Sequence, residues 1–171
     1  RVGIVFQYAE YQLFEETVAK DIAFGPQNLG LDEAEVDRRV RKAMADVGLD
    51  YDHFSDKSPF ELSGGQKQRL AMSRAMILNP DILILDDSLS AVDAKTEYAI
   101  VDNLKATREN KTTIISAHRL SAVVHADLIL VLQNGQIIER GTHQDLLAMD
   151  GWYAQTYQSQ QLEMKGEEDA E

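Results

Sequence analysis

The chain has 171 residues, 44% hydrophobic and 27% charged, which is enough for one domain with a sizeable core and an ordinary globular balance. Its net charge of -12 removes the basic surface that a sequence-independent grip on nucleic acid requires, so no nucleic-acid partner is expected. It contains no cysteine, which excludes disulfides and thiolate metal sites, and it has no apolar run approaching the roughly 20 residues that span a bilayer.

Taken in chain order, residues 1–7 read as a buried strand already in progress at Arg1, without an initiator Met, and ending at Gln7. That start is expected of the interior of a longer domain. The segment from Tyr8 to Phe24 is mixed, and Gly25-Pro26 is expected to break it. Asp32 then begins a helix, with Glu35 at the spacing of a capping-box partner. Val36, Val40, Ala43 and Val47 form its apolar stripe, and Gly48 ends it. Arg38, Arg39, Arg41 and Lys42 lie off that stripe, as a solvated face does. Ser63 and Gln66 repeat the capping spacing, which predicts a second helix from Gly64 to about Leu78, before Asn79-Pro80.

Ile82 to Leu85 is a continuous apolar run, as in a parallel strand buried on both faces. A helix is expected from Val92 to about Glu109, and strands over Thr112–Ser116 and Leu128–Leu132. Asn134-Gly135 is a type I′ hairpin signal pairing the latter strand with Gln136–Glu139. One terminal helix from about His143 carries Leu146, Leu147, Trp152, Tyr153 and Tyr157. From Glu163 to Glu171 five acids face one Lys165, which reads as a solvated, unstructured tail.

Several of these boundaries carry chemistry. A helix N-terminus has unpaired N–H groups and a partial positive charge, so it suits an anion. At Ser63 a hydroxyl is added, while Gly64 and Gly65 remove side chains that would block a phosphate. Asp86 closes an apolar strand at its carboxyl end, where α/β sheets place ligands, and Asp87 follows it. A phosphate-binding loop of the form G-x-x-x-x-G-K-[ST] is missing from these residues: none of the ten glycines is followed by lysine. His53, His125 and His143 have no chemical context and read as surface or packing residues.

Leu62-Ser63-Gly64-Gly65-Gln66, the acid-terminated strand at Asp86-Asp87, Ser90-Ala91-Val92-Asp93 and a strand followed by His118 occur in the order found in ATP-binding-cassette (ABC) transporters. The chain resembles the nucleotide-binding domain of that family, over residues 1–162. The resemblance implies an α/β fold: an incomplete P-loop NTPase (RecA-like) sheet core with an inserted helical signature subdomain over about residues 8–78. It implies an ATP-binding and hydrolysing subunit that couples hydrolysis to transmembrane transport, with ATP and Mg2+ as cofactors.

By the same resemblance Asp86 is a magnesium acid and Gln7 reaches the metal. Asp87 stands where a Glu usually polarises the attacking water, and His118 contacts the γ-phosphate. Leu62, Ser63, Gly64, Gly65 and Gln66 face the nucleotide of an opposing domain, and Asp93 communicates across the pair. The partners implied are a second nucleotide-binding domain, in a homo- or heterodimer, and a transmembrane transporter subunit or domain, with this domain at the cytoplasmic face of the plasma membrane, peripheral or as part of a membrane transporter. Asp87 departs from the family pattern by one methylene, as in the weakened site of heterodimeric exporters, and slow turnover is expected there. Alone, the chain is expected to be largely inactive. A non-catalytic domain that lends its signature to a partner remains open. An ABC-type DNA-repair ATPase is a weaker reading, since Gln7 and Leu62 are too close for long coiled coils between them.

The resemblance has two accents. Val5 to Thr17, Asp21 to Pro26 and Ser58 to Leu62 look like energy-coupling-factor importer ATPases, except that Ala9 replaces the usual Pro. Ile84 to Glu97, Ile115 to Leu120, Gly141 to His143 and Asp150 to Tyr153 look like heterodimeric multidrug exporters. The changeover falls at Ser63–Arg69, and a joined or recombined sequence is one expectation from it.

Overall fold

A computed structural model describes residues 1–168. The chain forms two compact units, Arg1–His118 and a second beginning at Arg119.

In the first unit, β1 (Val2–Val5), β2 (Ile82–Asp86) and β3 (Thr112–Ser116) make a parallel sheet in the order β1-β2-β3. Val5 lies opposite Leu85, and Asp86 opposite Ser116. Between β1 and β2 there are only helices: a 3-10 turn at Ala9–Gln12, α1 (Val18–Asn28), α2 (Glu33–Asp46), α3 (Tyr51–Phe54), a second 3-10 turn at Pro59–Glu61, and α4 (Gly64–Met76). Helix α5 (Ala94–Thr107) joins β2 to β3. Such a helical crossover is what parallel neighbours require.

The expected start signals operate. Asp32 accepts a hydrogen bond from the Glu35 amide at 3.0 Å. The Glu35 carboxylate, however, turns to Arg38 and Arg39 rather than completing a capping box. Ser63 and Gln66 form the full reciprocal box, at 3.3 and 2.9 Å. Gly48, at φ 71, follows the end of α2.

In this unit two further expectations need correction. Gly25-Pro26 does not break the chain, because α1 runs through both to Asn28. Proline forfeits a single backbone bond there and its ring is buried, while Gly25 allows the helix to meet the Leu78 side chain. Strand β2 is buried on one face only. Leu83 and Leu85 are wholly buried, but Ile82 is exposed in a row with Val2, and Ile114 and Ile4 are exposed on the same side. The covered face is packed by α4, whose Leu70 and Met72 are fully buried; such side chains contribute about 1.5–3 kcal/mol each.

In the second unit, β4 (Ile129–Gln133) and β5 (Gln136–Gly141) form an antiparallel hairpin. Asn134 and Gly135 have φ 50 and 76, the positive pair a type I′ turn needs. The expected terminal helix is two helices, α6 (His143–Ala148) and α7 (Trp152–Glu168). The break comes at Asp150, in the left-handed region at φ 51. Beyond it, the Glu139 carboxylate accepts from the Trp152 and Tyr153 amides at 2.6 and 3.1 Å, starting α7 afresh. Leu120, Ile129, Val131, Leu146 and Tyr153 form the core of this unit. Helical backbone extends to Glu168, into the segment expected to be unstructured, where Gln, Leu, Glu and Lys favour helix. Residues 169–171 of that expected tail lie outside the described residues.

Candidate nucleotide site

The register of the parallel sheet assembles the first group of residues. Gln7 lies two residues beyond Val5 on β1, Asp87 two beyond Leu85 on β2, and His118 two beyond Ser116 on β3. Asp86 ends β2. Gln7, Asp86, Asp87 and His118 therefore share the carboxyl edge of one sheet, where the crevice of an α/β fold receives a ligand.

Asp87 is the most constrained of the four. Its backbone sits at φ 46, a left-handed conformation that Asp tolerates better than most residues. Its amide donates to the Ser116 carbonyl at 2.9 Å, and its own carbonyl accepts from the Ser90 hydroxyl at 2.9 Å. The Gln7 side-chain amide donates to its carboxylate at 3.1 Å. Asp86, by contrast, is exposed. A single exposed carboxylate beside a polyphosphate suits Mg2+, which keeps much of its water and takes few protein ligands. Among the described residues no cluster of three or more His, Cys, Asp or Glu side chains could hold a metal by itself.

The second group sits on α4. Its capped N-terminus leaves Ser63 and Gly64 exposed, with Leu62 buried behind them. A Cβ added at Gly64 would meet nothing within 4 Å, whereas one at Gly65 would fall 2.5 Å from the Ala91 carbonyl oxygen. The two glycines thus differ: Gly64 leaves open space, and Gly65 allows the helix to touch the Ser90–Asp93 loop. Gln66 has its side-chain oxygen on the Ser63 amide. Asp93 caps α5 by accepting from the Thr96 amide at 2.9 Å. That bond is the main reason its carboxyl is held below the usual aspartate range.

Three residues passed over in the sequence hold the loop that carries Gln7. Gln68 on α4 donates through Nε2 to the Gln7 carbonyl, and Arg74 donates to the Gln12 carbonyl. Asp21, its side chain fully buried, accepts from the Phe14 and Glu15 amides at 3.0 Å each and pairs with Arg74 at 2.8 Å. The available signal was a polar residue among buried neighbours: Asp21 between Val18 and Ile22, and Gln68 beside Leu70. In the second unit, His143 packs as expected. Its Nδ1 lies 2.8 Å from the Tyr153 hydroxyl, whose pKa burial, foremost, and the neighbouring Tyr157 push up to about 12.

The sheet, the inserted helices and the capped signature turn define an ABC-type ATPase fold. The family model for ABC transporters matches residues 1–90, more than half of the chain, and the chain belongs to that family. It is 50% identical over 170 residues to the probable multidrug resistance ABC transporter ATP-binding/permease protein YheI of Bacillus subtilis (strain 168), covering 94% of this chain and 28% of that protein. It is 48% identical over 149 residues to the energy-coupling factor transporter ATP-binding protein EcfA2 of Clostridioides difficile (strain 630), covering 85% of this chain and 52% of that protein. The structure of a bacterial Atm1-family ABC exporter with ATP bound superposes with a TM-score of 0.77 at 39% identity, covering 93% of this chain and 28% of that one. The chain thus spans about half or less of the length of these relatives. The expected double likeness, to energy-coupling-factor ATPases and to multidrug ABC transporters, is what these matches show.

Proposed function

We propose that this chain is the ATP-binding and hydrolysing part of an ABC transporter, contributing to composite nucleotide sites shared with a second nucleotide-binding domain. The observation that carries the reading is the split arrangement. Gln7, Asp86, Asp87 and His118 crowd one sheet edge, while Ser63 and Gly64 stand open at the head of another element. A capped helix N-terminus with an exposed glycine is suited to a phosphate brought to it from outside.

In this reading Asp86 and Gln7 would hold Mg2+, which would neutralise charge on the β- and γ-phosphate oxygens when bound. Asp87 orients the attacking water and takes up its proton through its carboxylate, and His118 steadies the γ-phosphate. Ser63, Gly64, Gly65 and Gln66, with Leu62 behind them, serve the nucleotide held by the partner, and Asp93 lies in the loop that meets it. No helix among the described residues is long and apolar enough to cross a membrane. In this reading a transmembrane subunit or domain holds the nucleotide-binding domain at the cytoplasmic face.

The test mixes the chain with an intact nucleotide-binding domain and measures Mg-ATP hydrolysis. The chain alone should turn over near background, and the mixture should exceed the sum of its parts. Ser63→Arg should remove that stimulation. Tight magnesium-dependent capture of ATP by the isolated monomer would overturn the composite site. A helper that donates only its signature is separated from an enzyme by Asp87→Asn, which leaves the helper's stimulation intact.

Asp87 supports slow turnover at its own site. Its carboxylate is short, buried and engaged by Gln7. In a complete domain carrying this sequence, Asp87→Glu should raise kcat by about tenfold, since a displacement of about an ångström has effects of that order or larger. An unchanged rate would remove the proposal.

A further inference from the structure

Helix α4 is tied to the Gln7 loop at both ends of that loop. Gln68 holds the Gln7 carbonyl and Arg74 the Gln12 carbonyl. The helix itself is anchored below by buried Leu70 and Met72, and by the Ser73 hydroxyl, which donates to the Ala43 carbonyl at 3.1 Å. At its head the same helix carries Ser63 and Gly64, and through Gly65 it touches Ala91.

Gln68 is 5% exposed, and its chemistry is specific. The Gln7 carbonyl can only accept, so the amide nitrogen of Gln68 must face it. Its Oε1 is then buried without a hydrogen-bond partner among the described residues. A methionine or leucine would fill comparable space without stranding an oxygen. The glutamine is therefore explained by the one bond its N–H makes. Beyond that bond, the Gln7 side chain reaches Asp87 at 3.1 Å.

We infer that Gln68 is a positioning residue that couples the chain's two half-sites, fixing Gln7, and through it Asp87, to the helix whose first turn presents the signature. The catalytic side of this inference rests on the proposed ATPase function; the anchoring side rests on geometry alone. A displacement of α4 when its N-terminus engages a phosphate on the partner is transmitted by Gln68 to Gln7. Occupancy of the site completed by the partner thereby sets the geometry of the chain's own carboxylate.

Two readouts test this, the first on the whole 171-residue chain. The first is amide hydrogen exchange in Gln68→Met, with Gln68→Leu as a second variant should the first fail to fold. Phe6, whose amide donates to Gln12 Oε1, and Tyr11, which donates to the Tyr8 carbonyl, report the loop. Both should exchange about tenfold faster, the loosening expected from one lost hydrogen bond. Phe14 and Glu15, held by Asp21, should not change. Ser73→Ala, which removes a bond on the same helix without touching the loop, should leave Phe6 and Tyr11 within about twofold of the unmodified chain.

The second readout is ATP hydrolysis by a complete domain carrying this sequence together with a phosphate-binding loop, where the chain's own carboxylate has a nucleotide to act on. Gln68→Met should lower the maximal rate about tenfold while half-saturation by ATP moves less than about twofold, because geometry rather than binding is lost. Unchanged exchange at Phe6 and Tyr11, or an unchanged maximal rate, overturns the inference. If that complete domain does not hydrolyse ATP before Gln68 is changed, the functional reading fails instead, and the exchange comparison alone decides whether Gln68 anchors Gln7.

Discussion

A methyl group at Gly64 enters open space, and one at Gly65 collides with the Ala91 carbonyl oxygen at 2.5 Å. That oxygen is backbone and cannot swing aside, so Gly65→Ala should destabilise the first unit by about 1–3 kcal/mol. Gly64→Ala should be neutral or stabilise by about 0.4–1 kcal/mol, because alanine restricts the unfolded chain. Urea denaturation of the two variants checks the contrast, and equal effects would discount it. Asp93 gives a second residue-scale prediction. Its folded pKa is depressed, first by the Thr96 amide, so its stabilisation is complete above the unfolded value near 3.9 and is lost as pH falls through the lower folded value. Asparagine caps equally well without titrating. Asp93→Asn should leave the melting temperature at pH 7 nearly unchanged and flatten its decline below about pH 4, read by a thermal-melt series from pH 2 to 5.

Among the elements, α4 joins segments that lie far apart in sequence. Its start was legible because Ser63 and Gln66 carry a reciprocal cap at the required spacing. Its attachments were not, since Gln68 to Gln7 and Arg74 to Asp21 each bridge more than fifty positions. The Arg74–Asp21 pair is the more costly to break. Arg74→Ala leaves a carboxylate buried with only two amide donors, and should destabilise by about 3–5 kcal/mol. Asp21→Asn, which removes the charge while keeping an acceptor, should cost less than Arg74→Ala. Chemical denaturation of both variants orders them, and the reverse order would show that the charge is not what Arg74 serves. The same contrast between local and distant causes explains Pro26. Next to Gly25 it reads as a breaker, yet burial of its ring keeps it inside α1.

On the scale of the whole molecule, the parallel sheet leaves Val2, Ile4, Ile82 and Ile114 exposed on one face, although such sheets are ordinarily covered on both. Ile4→Thr together with Ile114→Thr should lower binding of a hydrophobic fluorescent dye and shift stability by no more than about 0.5 kcal/mol per site. A large loss of stability would mean that these side chains support the fold. Four of the expected site residues are placed together by the same sheet. The resemblance grouped Gln7, Asp86, Asp87 and His118 only as expected residues of one site. Only the alignment Val5–Leu85 and Asp86–Ser116 shows that they reach a common edge.

Taken alone, the sequence determined what depends on near neighbours: the helix caps at Asp32 and Ser63, the Asn134-Gly135 turn, the apolar run ending in Asp86, and the family those motifs mark. Such features are set by steric and hydrogen-bonding preferences within a few residues. Tertiary structure decided which polar groups the interior would accept and what each would hold. It buried Asp21 and Gln68 against backbone groups distant in the chain, turned Asp87 into a left-handed conformation against Ser116, and assigned Gly65 to Ala91. Those outcomes follow from close packing and from the need of buried donors and acceptors for partners, which no window of neighbouring residues contains.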